Sequence, residues 1–515
     1  MTMTQWFLFF LILQVVHFLG TWKLYIKADR KAWEAIVPIY NAYVLMKIIN
    51  RPTWWVILLF IPIINLLMFP ILWIETIRSF GKNSTVDTIL ALFTFGFYTY
   101  YVNYACDVKH IKDRSLKPAS GFGDWVSSIA FAIITATLVH TYVMRPYTIP
   151  TSSLEKSLLV GDFLFVSKFH YGARIPMTAV AMPMVHDSIP WTGLPSYLDK
   201  PQLPYMRVPG IQKIKRNDIV VFNWPADSLK TMWGDNSGKF TYKPIDKKTN
   251  YVKRCTAIAG DTIQIIDGVI YIDGKISKMP DRAKPQFNYT VDTGGKQINP
   301  RTLQNRYNVR EGSISRDGIY MLTLTEKEAK KLSKNPSVKS IVKRNTPAGN
   351  FNKNIFPHDA QYTWSGDNYG PLYIPEEGAT IEINSKTIPI YEHVIREYER
   401  NDVTVDGNEM YINGQLASTY TFKQDYYWMM GDNRHNSLDA RSYGFTPFDH
   451  VIGKPVFIWF SWETNGDGIK EKIRWNRLFT TVGGDGEPVS YFYPFLGLLA
   501  IYFGFNYFRK KKKKA

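Results

Sequence analysis

Five stretches of this chain, 1–22, 52–74, 88–106, 125–144 and 488–508, contain no Asp, Glu, Lys or Arg. Each is close to the roughly 20 residues that a helix needs to cross the hydrocarbon of a bilayer. Inside that medium every backbone polar group must find its partner within the segment, which leaves little choice but helix. The pattern therefore predicts five transmembrane helices, at 3–22, 53–74, 88–106, 125–144 and 488–508. The first lacks the basic n-region and small-residue exit of a cleaved signal peptide and reads as an anchor. Pro62, Asn65 and Pro70 interrupt the second, for which a re-entrant or buried hairpin is the alternative.

Basic residues orient the spans. Lys23, Lys27, Arg30, Lys31, Lys47 and Arg51 follow the first stretch, four more lie in 109–117 and six in 509–514, whereas the remaining short loop has Arg78 and Lys82. An outside N-terminus puts the three rich groups on the cytoplasmic side. It divides the chain into an anchor region (1–124), a helix leading outward (125–144), an extracytoplasmic domain (145–487), a returning helix (488–508) and a basic cytoplasmic tail (509–515). The formal charge of +18 is carried largely by those loops and the tail, so nucleic-acid binding is not needed to explain it. Contact with anionic lipid is compatible with it. Two cysteines are too few for a disulfide framework or a four-cysteine zinc site.

The outer domain reads as β. Runs rich in β-branched and aromatic residues recur at 163–166, 219–222, 251–258, 262–266, 269–272 and 456–462, punctuated by Gly, Asp and Asn. Helical periodicity is confined mainly to 325–332. Segments 266–275 and 405–415 resemble each other, each a strand flanked by Asp-Gly or Asn-Gly turns. Between them, about 276–404 is richer in Asn, Lys and Pro and reads as a partly ordered insertion, with 379–391 alternating like a strand.

Chemistry enters with Ile149-Pro-Thr-Ser-Ser-Leu154. Ser153 lies eight residues beyond Arg145, at most about 28 Å of extended chain from a membrane exit. A serine nucleophile needs a base, and three are available. Ser153-Leu-Glu-Lys156 fits the S-x-x-K pattern of penicillin-binding proteins, but the S-D-N and K-[ST]-G partners of that pattern do not occur. His435 with Asp439 is the second option. Lys253 is the third: in a strand over 251–258 it shares a face with Tyr251, Cys255 and Ala257, and apolar surroundings would lower its pKa. Near it in chemistry stands Gly431-Asp-Asn-Arg-His-Asn-Ser-Leu-Asp-Ala-Arg441, a loop dense in charge but without the ligand spacing of a calcium loop.

Taken in order, 149–158, Val160-Gly-Asp162, Arg216-Asn-Asp-Ile-Val-Val-Phe222, 251–261 and 431–441 resemble the bacterial type I signal peptidases (leader peptidases), over roughly 125–462. The resemblance implies a membrane-anchored, mainly-β catalytic domain that cuts signal peptides from exported preproteins after small residues. It implies Ser153 as nucleophile, Lys253 as general base, and the Ser153 N–H with the Thr151 hydroxyl as oxyanion hole. Ser437 would orient the Lys253 amine, Arg254 with Asp432 and Asp439 with Arg441 would form supporting ion pairs, and Leu154, Leu158 and Tyr251 would line the substrate pocket. Where the family usually has Met, Pro, Gly and Asp, this chain has Leu154, Lys156, Asn217 and His435.

Implied partners are preprotein signal peptides and membrane lipid, with no nucleic acid, no metal and no cofactor, and the reading is compatible with proximity to the secretion translocase. The implied location is the bacterial cytoplasmic (inner) membrane, multi-pass, with the catalytic domain on the outer (periplasmic) side. Two other readings compete: a catalytically inactive membrane-tethered β-domain acting as an assembly or export factor, and a channel or transporter. The near absence of ionisable residues from the apolar stretches weakens the last.

Overall fold

The computed structural model describes residues 2–117, 121–229, 240–315, 317–349, 351–463 and 468–512. They form two compact units: Met1–Val143 with Arg174–Val208 and Ser228–Lys247, and Met144–Ala173 with Pro209–Asp227 and Lys248–Ala515.

In the first unit, helix Met3–Lys27 opens on a capping box between Thr2 and Gln5. Helix Gly121–Leu138 is continued by a π turn, Val139–Val143. Among the described residues these two are long and apolar enough to cross a membrane. The single helices expected at 53–74 and 88–106 are each broken in two. Trp55–Leu58 and Ile64–Arg78 are separated at Ile63 (φ 70°), immediately after Pro62. Thr85–Phe93 and Tyr98–Tyr104 are separated at Phe95 (φ 51°) and Gly96 (φ 84°). A left-handed residue cannot continue a right-handed helix, so the absence of charge set the apolarity of these segments but not their continuity. Tyr25, Val44, Met46, Ile49 and Val102 build the core of this unit.

The second unit is built on an antiparallel sheet. Its strands include β1 (Met144–Thr148), β2 (Asp162–Ser167), β3 (Ile219–Asn223) and β4 (Asn250–Ala257). In spatial order they run β1, β2, Val451–Ser461, β3, β4, Tyr426–Met430 and Thr446–Pro447. Pairing sets Val220 opposite Lys253 and Met430 opposite Arg254. The two look-alike segments fold alike, as three-stranded meanders over Thr262–Ile276 and Val403–Ala417. Positive φ at Asp267, Gly268, Asp273, Gly274, Asn413 and Gly414 closes their turns.

Within the expected insertion, 379–391 is not one strand. Thr380–Glu382 pairs with Thr419–Thr421, and helix Ile388–His393 follows. The Asn384 side chain accepts from the N–H groups of Lys386 and Thr387, turning the chain before Pro389 enters the helix. Helix Phe492–Lys512 occupies the last charge-free stretch, with Leu498, Ile501 and Phe503 outward; of the basic tail, 513–515 lie outside the described residues.

Gly161 sits at a tight backbone position. It has φ 86°, and a Cβ there would lie 2.0 Å from the Trp462 carbonyl oxygen. Gly161→Ala is expected to lose more than about 1 kcal/mol, read as a lowered thermal unfolding midpoint of the purified protein.

Candidate active site

The segment after β1 turns sharply. Thr151 precedes a 3-10 turn, Ser152–Leu154, without using its hydroxyl as a cap. So short a turn leaves its first N–H groups, including that of Ser153, without intrahelical partners. Leu154 and Leu158, one turn apart, anchor the segment by packing among Ile149, Leu164, Ile219 and Ile458. Asp162 closes the loop, accepting from the Leu159 N–H (2.8 Å) and the Ser461 hydroxyl (2.6 Å). On the other side the Asn433 N–H donates to the Ser153 carbonyl (3.0 Å) and its side-chain amide to that of Ser152 (3.2 Å).

β4 carries Lys253 to this turn. Its Nζ donates to Ser153 Oγ at 2.5 Å and lies 5.5 Å from the centre of the Tyr251 ring. The residue is 4% exposed. Burial pulls its ammonium from an ordinary 10.5 down to about 8; the Asp439 charge opposes the shift and Arg441 favours it.

The neighbouring charges are neutralised in pairs. Arg254 grips both oxygens of Asp432 at 2.7 and 2.6 Å, and Arg441 both oxygens of Asp439 at 2.9 Å. Burial opposes ionising either carboxyl, yet the arginines, the Ser157 hydroxyl on Asp432 and the Gly431 N–H on Asp439 outweigh it and hold both below the usual range. The other candidate bases are turned elsewhere: Lys156 pairs with Glu328, and His435 Nε2 donates to Asp367 at 2.8 Å. Among the described residues no His, Cys, Asp or Glu group is arranged to hold a metal ion.

One expectation needs correction. Among the described residues the Ser437 hydroxyl has no hydrogen-bond partner, so it does not reach the Lys253 amine. It stands instead against Gly431, where a Cβ would come within 2.2 Å of it. Leu154 and Leu158, each 1% exposed, take part in the packing that anchors the turn, and Leu158 also borders a cavity with Ser157 and Ile219. Of the three expected pocket residues Tyr251 alone keeps part of its surface, stacked on Trp224 with ring centres 5.0 Å apart.

Sequence reasoning missed Asn433 and Ser157, although the loop and segment that hold them stood out. It also missed Glu328 and Asp367, 172 and 68 residues from their partners, for which no local signal exists.

The signal peptidase, peptidase S26 family matches residues 122–323 and 374–462. The chain belongs to that family. It is a serine endopeptidase of the signal peptidase I type. It is 24% identical to signal peptidase I of Buchnera aphidicola subsp. Acyrthosiphon pisum (strain APS), over 66% of this chain and 76% of the relative. Signal peptidase I of Haemophilus influenzae (strain ATCC 51907 / DSM 11121 / KW20 / Rd) is 24% identical over 71% and 78%, and that of Rickettsia rickettsii (strain Sheila Smith) 25% over 69% and 91%. Residues 33–113, in the unit of broken helices, match a family of unknown function (DUF5684). The signal peptidase match pauses over 324–373, inside the expected insertion.

The buried lysine leaves a mark on stability. Below about pH 8 both folded and unfolded chains carry the charge, and the folded one holds it out of water at a cost of roughly 3 kcal/mol. Between about 8 and 10.5 the unfolded chain binds more protons, so stability rises with pH and the cost fades. Lys253→Met should therefore be more stable than wild type at neutral pH, with the gap closing toward pH 10.5 in denaturation curves.

Proposed function

We propose that this peptidase removes signal peptides from exported preproteins with Ser153 as nucleophile and Lys253 as general base. The observation that carries the reading is the 2.5 Å contact between Lys253 Nζ and Ser153 Oγ, both on buried side chains. Once neutral, the amine accepts the serine proton as Oγ attacks the scissile carbonyl. The Ser153 N–H and the Thr151 hydroxyl stabilise the resulting oxyanion, one such donor being worth about 3–4 kcal/mol. The protonated amine then supplies the leaving nitrogen with its proton, and water releases the acyl-enzyme by the same route. Asp432 and Asp439, each tied to an arginine, hold the loop without taking the lysine proton. Tyr251 touches the substrate, and specificity is for small residues at the first and third positions before the cut.

The chain lies in the bacterial inner membrane through Met3–Lys27, Gly121–Val143 and Phe492–Lys512, with 145–487 on the periplasmic side. Signal peptides and lipid are its partners there. The intact contact between hydroxyl and amine argues against an inactive tethered domain.

The deciding experiment is incubation of the purified full chain with a preprotein. Wild type should release the mature protein, while Ser153→Ala and Lys253→Arg fold but release almost none, because arginine keeps its proton. The rate should rise with pH, about tenfold per unit, and level off above about 8 as Lys253 becomes neutral. An active Lys253→Arg protein, or a rate controlled by a group titrating well below 8, would place the base elsewhere.

A further inference from the structure

The nucleophile turn has an unusual backbone. Lys156, three residues after Ser153, adopts φ 69°, a left-handed angle that costs a side-chain-bearing residue roughly 1–2 kcal/mol. Its side chain is only 4% exposed, and its ammonium is held by Glu328. Glu328 is itself immobilised, capping helix Glu326–Leu332 through Thr325 and accepting from the Asn308 amide at 2.7 Å. Between Lys156 and the arginine clamp stands Ser157, whose hydroxyl donates to Asp432 at 2.5 Å.

The opposing loop is held from the same part of the chain. His435 Nδ1 accepts from the Asn288 N–H (3.0 Å), which fixes the proton on Nε2, and that proton is donated to Asp367. Asp367 also accepts from the Thr346 N–H at 2.9 Å. Two residues before His435 is Asn433, whose N–H holds the Ser153 carbonyl. Glu328 and Asp367 both come from 324–373, between the two stretches that match the peptidase family. Their partners, Lys156 and His435, are two of the positions at which this chain departs from the family's motifs.

We propose that Glu328 and Asp367 are positioning residues for the Ser153–Lys253 pair: the 324–373 segment braces the nucleophile turn and the facing loop through two buried polar pairs that this chain has in place of the family's usual residues. The proposal rests on the catalytic reading above. Without Glu328 the Lys156 ammonium is buried and unpaired, and it can escape to water only by moving the turn that carries Ser153. Without Asp367 the His435 N–H loses its acceptor and the loop its register against that turn.

The test measures kcat, KM and thermal midpoint of the full chain on a peptide spanning a signal-peptide cleavage junction, with Ser153→Ala alongside. Glu328→Gln and Asp367→Ala should each lower kcat roughly tenfold or more with KM little changed, because a misplaced pair loses rate rather than binding. Adding Lys156→Gly to Glu328→Gln should restore kcat to within about threefold of wild type, since glycine accepts the left-handed turn and removes the unpaired charge. Exchanging the second pair, His435→Asp with Asp367→His, should likewise recover what Asp367→Ala loses. If Ser153→Ala is inactive while Glu328→Gln and Asp367→Ala keep kcat within about twofold of wild type, the bracing role is overturned and the catalytic reading stands. Rescue variants that regain the thermal midpoint without kcat overturn it too. A Ser153→Ala chain that still cleaves defeats the catalytic reading instead. Should Asp367→Ala fail to fold, the exchanged pair and the Glu328 variants decide.

Discussion

The buried ion pair between Arg254 and Asp432 is the joint on which the site depends. Each charge alone would be prohibitive out of water; together they are tolerable because both carboxylate oxygens and the guanidinium fork are matched. What the pair contributes is connection. Arg254 is the neighbour of Lys253 on β4, Asp432 is the neighbour of Asn433 that holds the Ser153 carbonyl, and Ser157 of the segment that carries Ser153 donates to Asp432. Three chain segments far apart in sequence are thereby held around one hydroxyl.

A lysine works as a base near neutral pH only if its charged form is made unfavourable, and carboxylates nearby would undo that. The structure has two such carboxylates, Asp432 and Asp439, and each is bonded on both oxygens to an arginine. Their attraction for the amine is spent on the guanidinium groups, so burial prevails and the amine falls to about 8. The charge-rich loop 431–441 is thus compatible with a lysine of lowered pKa because both of its carboxylates are bonded to arginines, Asp432 to Arg254 of β4 and Asp439 to Arg441.

The first unit obeys different constraints. Its apolar segments lack charge, as the membrane reading requires, but Pro62 with Ile63 and Phe95 with Gly96 divide two of them into short helices. Glu75, near the end of one, is buried and paired with Arg51 at 3.1 Å and with Arg114. A buried acid paired with two arginines is satisfied inside the protein, so composition alone understated how much polar structure this unit holds.

The sequence by itself determined the apolar segments, the β character of the second unit, the likeness of the two turn-flanked segments and the choice of Ser153 and Lys253 as candidates. These are local properties: charge-free length, period-two alternation, Asp-Gly and Asn-Gly turns with left-handed backbone, and short motifs in a fixed order. Strand boundaries such as Thr262–Ile266 and Val269–Ile272 followed from them directly. Tertiary structure decided what depends on distance. It brought Lys253 within 2.5 Å of a serine 100 residues away, packed Leu154 and Leu158 against Ile149 and Ile219, left Ser437 short of the lysine, and gave Lys156 and His435 their partners in 324–373. Periodicity reports which face of a strand a side chain takes, whereas the side chain that meets it there is set by how loops with no period of their own close over the sheet.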